Sequence, residues 1–278
     1  MPRATKVIWV IGTGTDVGKT TIAAGFVRAL NRKGIPTVGF KPNAAGLLKD
    51  LIDFMLERFP NKKCALYGAD GLALSLASPL TGGEMVDTVM PAQFLCHPRV
   101  ESVILARTGS VATGDVEYFR SNYMASIQDR PDIVELTRKT GLPFADAEIV
   151  EPLRFTLAPS LTPEKHQRAF DHLVALGAEA VVCEGGGQML PQWPGCSNPD
   201  HIVVVADGTV YFFPSVVVGY DFKLGPTLEA GAELLQLLDS TRAKYFSRPL
   251  YVVESARRRE IADRIADALI GDAGSDFA

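Results

Sequence analysis

Val7-Ile8-Trp9-Val10-Ile11-Gly12-Thr13-Gly14-Thr15-Asp16-Val17-Gly18-Lys19-Thr20-Thr21-Ile22-Ala23-Ala24-Gly25-Phe26-Val27-Arg28-Ala29-Leu30 is the stretch whose reading decides the fold. It opens with an unbroken apolar run, Val7 to Ile11, and closes with Ile22, Phe26, Val27 and Leu30 at helical spacing. Between them lies a glycine-rich segment that ends Gly18-Lys19-Thr20. Strand, glycine-rich turn and helix, in that order, are the context of a phosphate-binding loop. Glycines let successive backbone N–H groups turn inward around phosphate oxygens, and the following helix adds the positive end of its dipole. Lys19 is then expected to bridge the β- and γ-phosphates, and the Thr20 hydroxyl to hold Mg²⁺. The expected nucleotide-binding set is Gly12, Thr13, Gly14, Thr15, Asp16, Val17, Gly18, Lys19, Thr20 and Thr21. The glycine spacing is a variant, because the strict pattern wants glycine where Thr13 stands and this chain has it one residue earlier, at Gly12.

Working outward, composition bounds the class. The 278 residues are 47% hydrophobic and 22% charged, an ordinary globular balance with ample core. The length suits one α/β domain with an insertion, or two small domains. A net charge of −4 supplies no basic field for nucleic acid. No apolar run reaches the roughly 18–20 residues of a membrane span. Met1 to Lys6 leads straight into a strand and not into a signal segment. Cys64, Cys96, Cys183 and Cys196 are scattered with no CxxC pair, as expected of reduced thiols in the cytoplasm. Cys196 and His201 lack two further ligands at zinc spacing.

After the first helix, Asn31-Arg32-Lys33-Gly34 is a stop signal. Ile35 to Phe40 reads as a second strand, ended by Lys41-Pro42. Lys41 thus stands where α/β folds place ligands, with a surface lysine at a turn as the alternative. Leu47 to Phe59 reads as an amphipathic helix closed by Pro60, Gly71 to Ala77 as another helix, and Val100 to Ala106 as a strand. Arg107 and the small residues after it read as a surface loop, with an anion site as the alternative. Asp132 opens a helix from Ile133 to Thr140, and Pro163 to Leu176 is a helix capped by Thr162. Ala178 to Cys183 is a buried-type strand, and Glu184-Gly185-Gly186-Gly187 ends it. An acidic residue there, beside a phosphate loop, is placed for a Mg²⁺-linked carboxylate; a plain strand-ending glutamate is the alternative. Ile202–Ala206 and Val210–Phe213 flank Asp207-Gly208, a hairpin signal. Val216–Gly219 and Pro249–Val253 read as short strands, Lys223 to about Leu238 as a helix, and Arg257–Ile270 as a closing helix. The expectation is a single α/β domain over 1–278, a mostly parallel sheet with helices on both faces, in which residues 43–131 form an insertion after the second strand. The phosphate loop, Lys41 and Glu184 would converge on the sheet's C-terminal edge.

Five blocks in order resemble the dethiobiotin synthetase family, whose fold is of the P-loop NTPase type. Gly12 to Thr20 resembles its loop GTDTEVGKT, and Gly39-Phe40-Lys41-Pro42-Asn43-Ala44-Ala45-Gly46 resembles G-x-K-P-V-x-S/T-G. Asp132 to Pro143, with Glu151-Pro152-Leu153-Arg154-Phe155 and Pro159, resembles D-x-x-x-L-x-x-x-T-G-L-P … PYRF … P. Val182-Cys183-Glu184-Gly185-Gly186-Gly187 is similar to V-E-G-A-G-G, and Lys223-Leu224-Gly225 to K-L-G. The resemblance implies an ATP- and Mg²⁺-dependent ligase, usually a homodimer, that turns a small-molecule diamine and CO₂ into a cyclic urea. It implies that Lys19 and Lys41 neutralise the transferring phosphoryl group and the carbamate, and that Thr15 helps hold phosphates or carbamate. It further implies that Thr20, Asp132 and Glu184 arrange Mg²⁺. Asp70, in Gly68-Ala69-Asp70-Gly71-Leu72-Ala73-Leu74, is a rival for Asp132, because that local pattern also resembles the family's.

The departures from the pattern fall where the family meets its substrate. Gly14 replaces an acidic residue, Ala45 a hydroxyl, and Pro226-Thr227-Leu228 the I-N-H that grips the diamine. No asparagine that would read adenine lies near Val252-Val253-Glu254. Roughly ninety residues separate Lys41 from Asp132, where the family's connection is far shorter. The phosphate-handling parts are kept and the acceptor stays open, as would suit a paralogue with another substrate. Segment 43–131 is expected to serve as a lid or as part of a dimer interface. Other readings of the loop are a carboxylate-activating synthetase, a nucleotide switch of the ParA/MinD group, and a regulatory nucleotide-binding domain without turnover.

Overall fold

The computed structural model describes residues 5–47, 53–54, 57, 66–96, 102–121, 138, 148–150, 153–154, 163–186, 199–206, 209–213, 244–247 and 255–273. In chain order the elements begin with β1 (Lys6–Gly12), α1 (Lys19–Arg32), β2 (Thr37–Phe40) and β3 (Asn43–Leu47). Then come α2 (Ala69–Ala77), α3 (Val86–Val89), β4 (Ala92–Cys96), β5 (Ser102–Thr108), β6 (Glu117–Ser121), β7 (Glu148–Val150) and β8 (Leu153–Arg154). The chain continues through α4 (Pro163–Ala175), β9 (Ala180–Glu184), β10 (His201–Ala206), β11 (Thr209–Phe213), β12 (Lys244–Ser247) and α5 (Ser255–Ala273).

The main sheet has the order β12-β11-β10-β1-β9-β2. Strands β10, β1, β9 and β2 are parallel, and β11 and β12 add antiparallel at one edge. Runs such as Ile8-Trp9-Val10-Ile11 and Ile202-Val203-Val204-Val205, buried throughout, are what a parallel strand covered on both faces requires. The strands flanking Asp207-Gly208 pair as the hairpin signal predicts, Ala206 opposite Thr209. Successive strand residues point to opposite faces, and β2 shows both faces occupied. A Cβ on Gly39 would lie 2.8 Å from Leu74 Cβ in α2, so glycine is what allows that helix its close approach. Phe40, next in the chain, meets Phe170 of α4 edge-on at 5.8 Å. The expected α/β fold with helices on both faces is therefore present. On the α2 side, α1 stacks Phe26 on Phe212 at 6.0 Å and pairs Arg28 with Asp263 of α5 at 2.6 Å.

A second sheet has the order β3-β4-β5-β6-β7, with β8 also pairing β5. It starts immediately after Lys41-Pro42. Helix α4 ties it to the main sheet: Lys165 Nζ donates to Thr108 Oγ1 (3.0 Å) and pairs with Glu117, and Arg168 pairs with Asp115 at 2.8 Å.

Two local readings change. Leu47 ends strand β3, so the helix expected from Leu47 begins later; Asp53, Phe54 and Glu57 are helical. Arg107 is no surface-loop residue but is wholly buried in β5. Its guanidinium donates to the backbone carbonyls of Leu66 (2.6 Å), Pro91 (3.3 Å), Gly109 and Met90. That fork is spent on carbonyls, so it is not an anion site either. Strand β12 had no signal in the sequence reading. Asp132 and the helix from Ile133 to Thr140 lie outside the described residues, apart from helical Arg138, as do the runs 216–219, 223–238 and 249–253.

Candidate active site

The glycine-rich loop leaves β1 at the centre of the main sheet. Thr13 N donates to Val205 O of β10 at 3.1 Å, which pins the loop's start. Asp16 and Gly18 both take left-handed backbone angles, φ 58° and 96°. No side chain caps the start of α1, so its first N–H groups are open to an anion. Lys19 is 6% exposed, and its Nζ donates to the Gly14 carbonyl at the loop's crown. Burial holds its pKa below the ordinary lysine value; Glu184 opposes this and Lys41 adds to it.

Beside the loop, four polar side chains meet. Strands β2 and β9 run parallel with Phe40 opposite Cys183, so the next residues along, Lys41 and Glu184, emerge together at the strands' C-terminal ends. Lys41 Nζ lies 2.7 Å from Glu184 Oε1 and is also hydrogen-bonded to Asp70, in the first turn of α2. Thr20 Oγ1 lies 2.8 Å from Glu184 Oε1 and 2.9 Å from Asp70 Oδ1. One hydroxyl proton serves one acceptor at a time. Glu184 Oε2 is buried with no hydrogen-bond partner among the described residues.

The charges answer one another. Burial opposes the Lys41 ammonium, but the Glu184 and Asp70 carboxylates outweigh it and raise its pKa above the usual lysine range. Burial pushes the Glu184 carboxyl up, and Lys41 offsets only part of this. Burial also works against Asp70, yet Lys41 and Thr20 bring its pKa below the usual carboxylate value. The oxygens of Thr20, Asp70 and Glu184, with one carboxylate oxygen unmet, are a hard donor set of the kind Mg²⁺ takes, and the two carboxylates already hold a cation, the Lys41 ammonium. The residues present fit the ion.

Of the residues picked from sequence, Lys19, Thr20, Lys41 and Glu184 come together here. Asp70 joins them. Thr15 and Asp16 are exposed on the loop. One neighbour carried no sequence signal: His166 of α4 is buried, hydrogen-bonds the Pro42 carbonyl, and is pushed by burial down to about 3.

Comparison with known proteins points one way. The chain is 34% identical over 129 residues to ATP-dependent dethiobiotin synthetase BioD of a Geobacillus species, covering 44% of this chain and 54% of that protein. Over 38 residues it is 50% identical to the same enzyme of Vibrio campbellii and 53% to that of Pseudomonas aeruginosa, each covering 14% of this chain and 17% of the relative. By sequence the chain resembles the dethiobiotin synthetases. No family model matches it. It spans about half the length of the Geobacillus synthetase and less than a fifth of the other two.

Proposed function

We propose that this protein is an ATP-dependent ligase of the dethiobiotin synthetase type, acting on a small-molecule amine. The observation that carries the reading is the meeting of Lys41, Glu184, Asp70 and Thr20 beside the glycine-rich loop. An amine attacks CO₂, forming a C–N bond and losing a proton, which leaves a carbamate. A carbamate oxygen attacks the γ-phosphorus of ATP, and the bond to the β-γ bridging oxygen breaks to release ADP. A second amine then attacks the carbonyl, loses a proton and expels phosphate, closing a cyclic urea.

In this reading the loop amides around Gly18, with Thr15, hold the phosphates. Lys19 and Lys41 neutralise charge on the transferring phosphoryl group and the carbamate. Mg²⁺, when bound, would shield the β- and γ-phosphate oxygens. Thr20, Glu184 and Asp70 would hold it, Asp70 taking the place that the sequence pattern offered to Asp132. Asp70 lies 29 positions after Lys41, a shorter connection than the one to Asp132. Segment 43–131 would be an elaboration of a single domain, built around the second sheet that starts at β3, and would act as a lid or a dimer contact. The working form would be a homodimer in the cytoplasm.

The experiment is direct. The protein is incubated with Mg·ATP, bicarbonate and 7,8-diaminopelargonate, and ADP and cyclic urea are followed. Urea formation that Lys19→Ala and Glu184→Gln each abolish is the expected result. Slow ADP release that ignores the diamine, with no urea, overturns the reading in favour of a nucleotide switch.

A further inference from the structure

Among the described residues, Asn43 is a buried carboxamide with neither end bonded. It is 8% exposed, and neither Nδ2 nor Oδ1 has a hydrogen-bond partner among the described residues. A buried amide left unmet at both ends is costly, and native structures seldom tolerate it without a reason. Gln93, opposite Ala44 one step further along β3 and β4, shows the contrast. Its Nε2 donates to the Ala44 and Phe94 carbonyls, and only its Oε1 is left unmet among the described residues.

The position of Asn43 explains what the amide is for. It follows Lys41-Pro42, and two residues span at most about 7 Å. Its backbone is fixed from both sides. Lys41 N donates to Val89 O at 2.8 Å, His166 holds the Pro42 carbonyl, and Asn43 itself is paired with Ala92 in the second sheet. The unmet amide thus stands where β3 begins, two positions past Lys41 of the site.

We propose that Asn43 reads the acceptor substrate, its Oδ1 taking an N–H and its Nδ2 donating to an adjacent oxygen, the paired pattern of a carbamate, HN–CO₂⁻. A hydrocarbon would satisfy neither end. A free carboxylate would satisfy only Nδ2, and an ammonium only Oδ1. A carbamate satisfies both, and it is the group that Lys41 must meet in the ligase reading, on which this inference rests. The sequence block that this segment resembles has valine at this position, so the amide is a feature of this chain's own acceptor.

Asn43→Val tests it, because valine is apolar, close in volume and suited to a strand. The amide bonds to none of the described residues, so the variant should melt no lower than wild type. With Mg·AMP-PNP saturating, methyl carbamate, or 7,8-diaminopelargonate with bicarbonate, should raise the melting temperature of wild type and not of Asn43→Val. Where wild type turns over the diamine, the variant's KM for it should rise at least about tenfold. Equal shifts in both proteins, or no shift of wild type by either probe, overturns the assignment, and so does a variant that melts lower. Wild type that is stabilised by methyl carbamate yet releases no ADP with diamine and bicarbonate retires the ligase reading and leaves Asn43 standing. Turnover of the diamine that Asn43→Val does not alter does the reverse.

Discussion

Lys41 and Glu184 lie 2.7 Å apart because their strands are parallel neighbours in register, Phe40 opposite Cys183. Both side chains are almost fully buried, 6% and 1% exposed. Breaking such a pair leaves a desolvated charge behind. Lys41→Met strands Glu184, whereas Glu184→Gln leaves Lys41 with the more exposed Asp70. Each single variant should lose about 1–3 kcal/mol of stability. The double variant should lose less than the sum by at least about 1 kcal/mol in chemical denaturation. Strict additivity would show that the two do not act as a pair.

The carboxylates already enclose a cation, the Lys41 ammonium, so the ligand-free fold should not depend on a metal. Excess EDTA should leave its melting temperature unchanged. ATP with Mg²⁺ should raise it, since a ligand that binds only the native state stabilises by mass action. ATP with EDTA should raise it much less. A ligand-free protein that melts lower in EDTA would place a structural metal in the fold and remove this account.

His166 makes the fold acid-sensitive. Its folded value, about 3, lies below the ordinary 6.5, so the unfolded chain binds the proton more readily. The stability this histidine contributes is present above pH 6.5 and lost as pH falls toward 3. The slope is at most about 1.4 kcal/mol per pH unit. His166→Gln keeps an N–H for the Pro42 carbonyl and does not titrate. Its unfolding free energy should fall less steeply across that window, measured by urea denaturation at a series of pH values. Parallel curves for the two proteins would remove His166 from the explanation.

Arg107 should be the costliest single side chain to change in the second sheet. Its fork satisfies four buried carbonyls, and each one left unmet costs about 1–3 kcal/mol. Arg107→Met should destabilise by several such steps. Arg107→Lys, a point charge without the fork, should recover only part. Hydrogen exchange should show β4 and β5 opening before β1 and β9. Uniform loss of protection would mean that the two sheets unfold as one.

The two halves of the chain differ in how much of this was legible. Val7–Leu30 announces itself because an apolar run, a glycine loop and helical spacing fall in one stretch. Lys41 and Glu184 were readable as residues just past strand ends, and parallel pairing then brings them together without further instruction. Strands β3 and β4 were not readable. Asn43-Ala44-Ala45-Gly46 has little strand propensity, and its pairing with residues near Ala92 is a long-range fact. Arg107 misled because its partners are backbone carbonyls, which leave no trace in side-chain patterning. Asp70 was visible only as a family-like local pattern competing with a longer one around Asp132. His166 carried no signal, since its partner is a backbone carbonyl far away in the sequence, that of Pro42.

A lysine that serves as the resting counter-ion for two carboxylates has a double tenancy. In the ligase reading, a cation that took over the two carboxylates would free that ammonium for a substrate anion, so ion and substrate would arrive by exchange and not by addition. Each exchange would trade one charge contact for another, so neither the lysine nor the carboxylates would be left bare in the interior. A site built like this is at its most guarded when empty. In the ligase reading its cost of opening would be borne only when both a phosphate and a replacement cation are at hand, which would tie phosphate commitment to full loading.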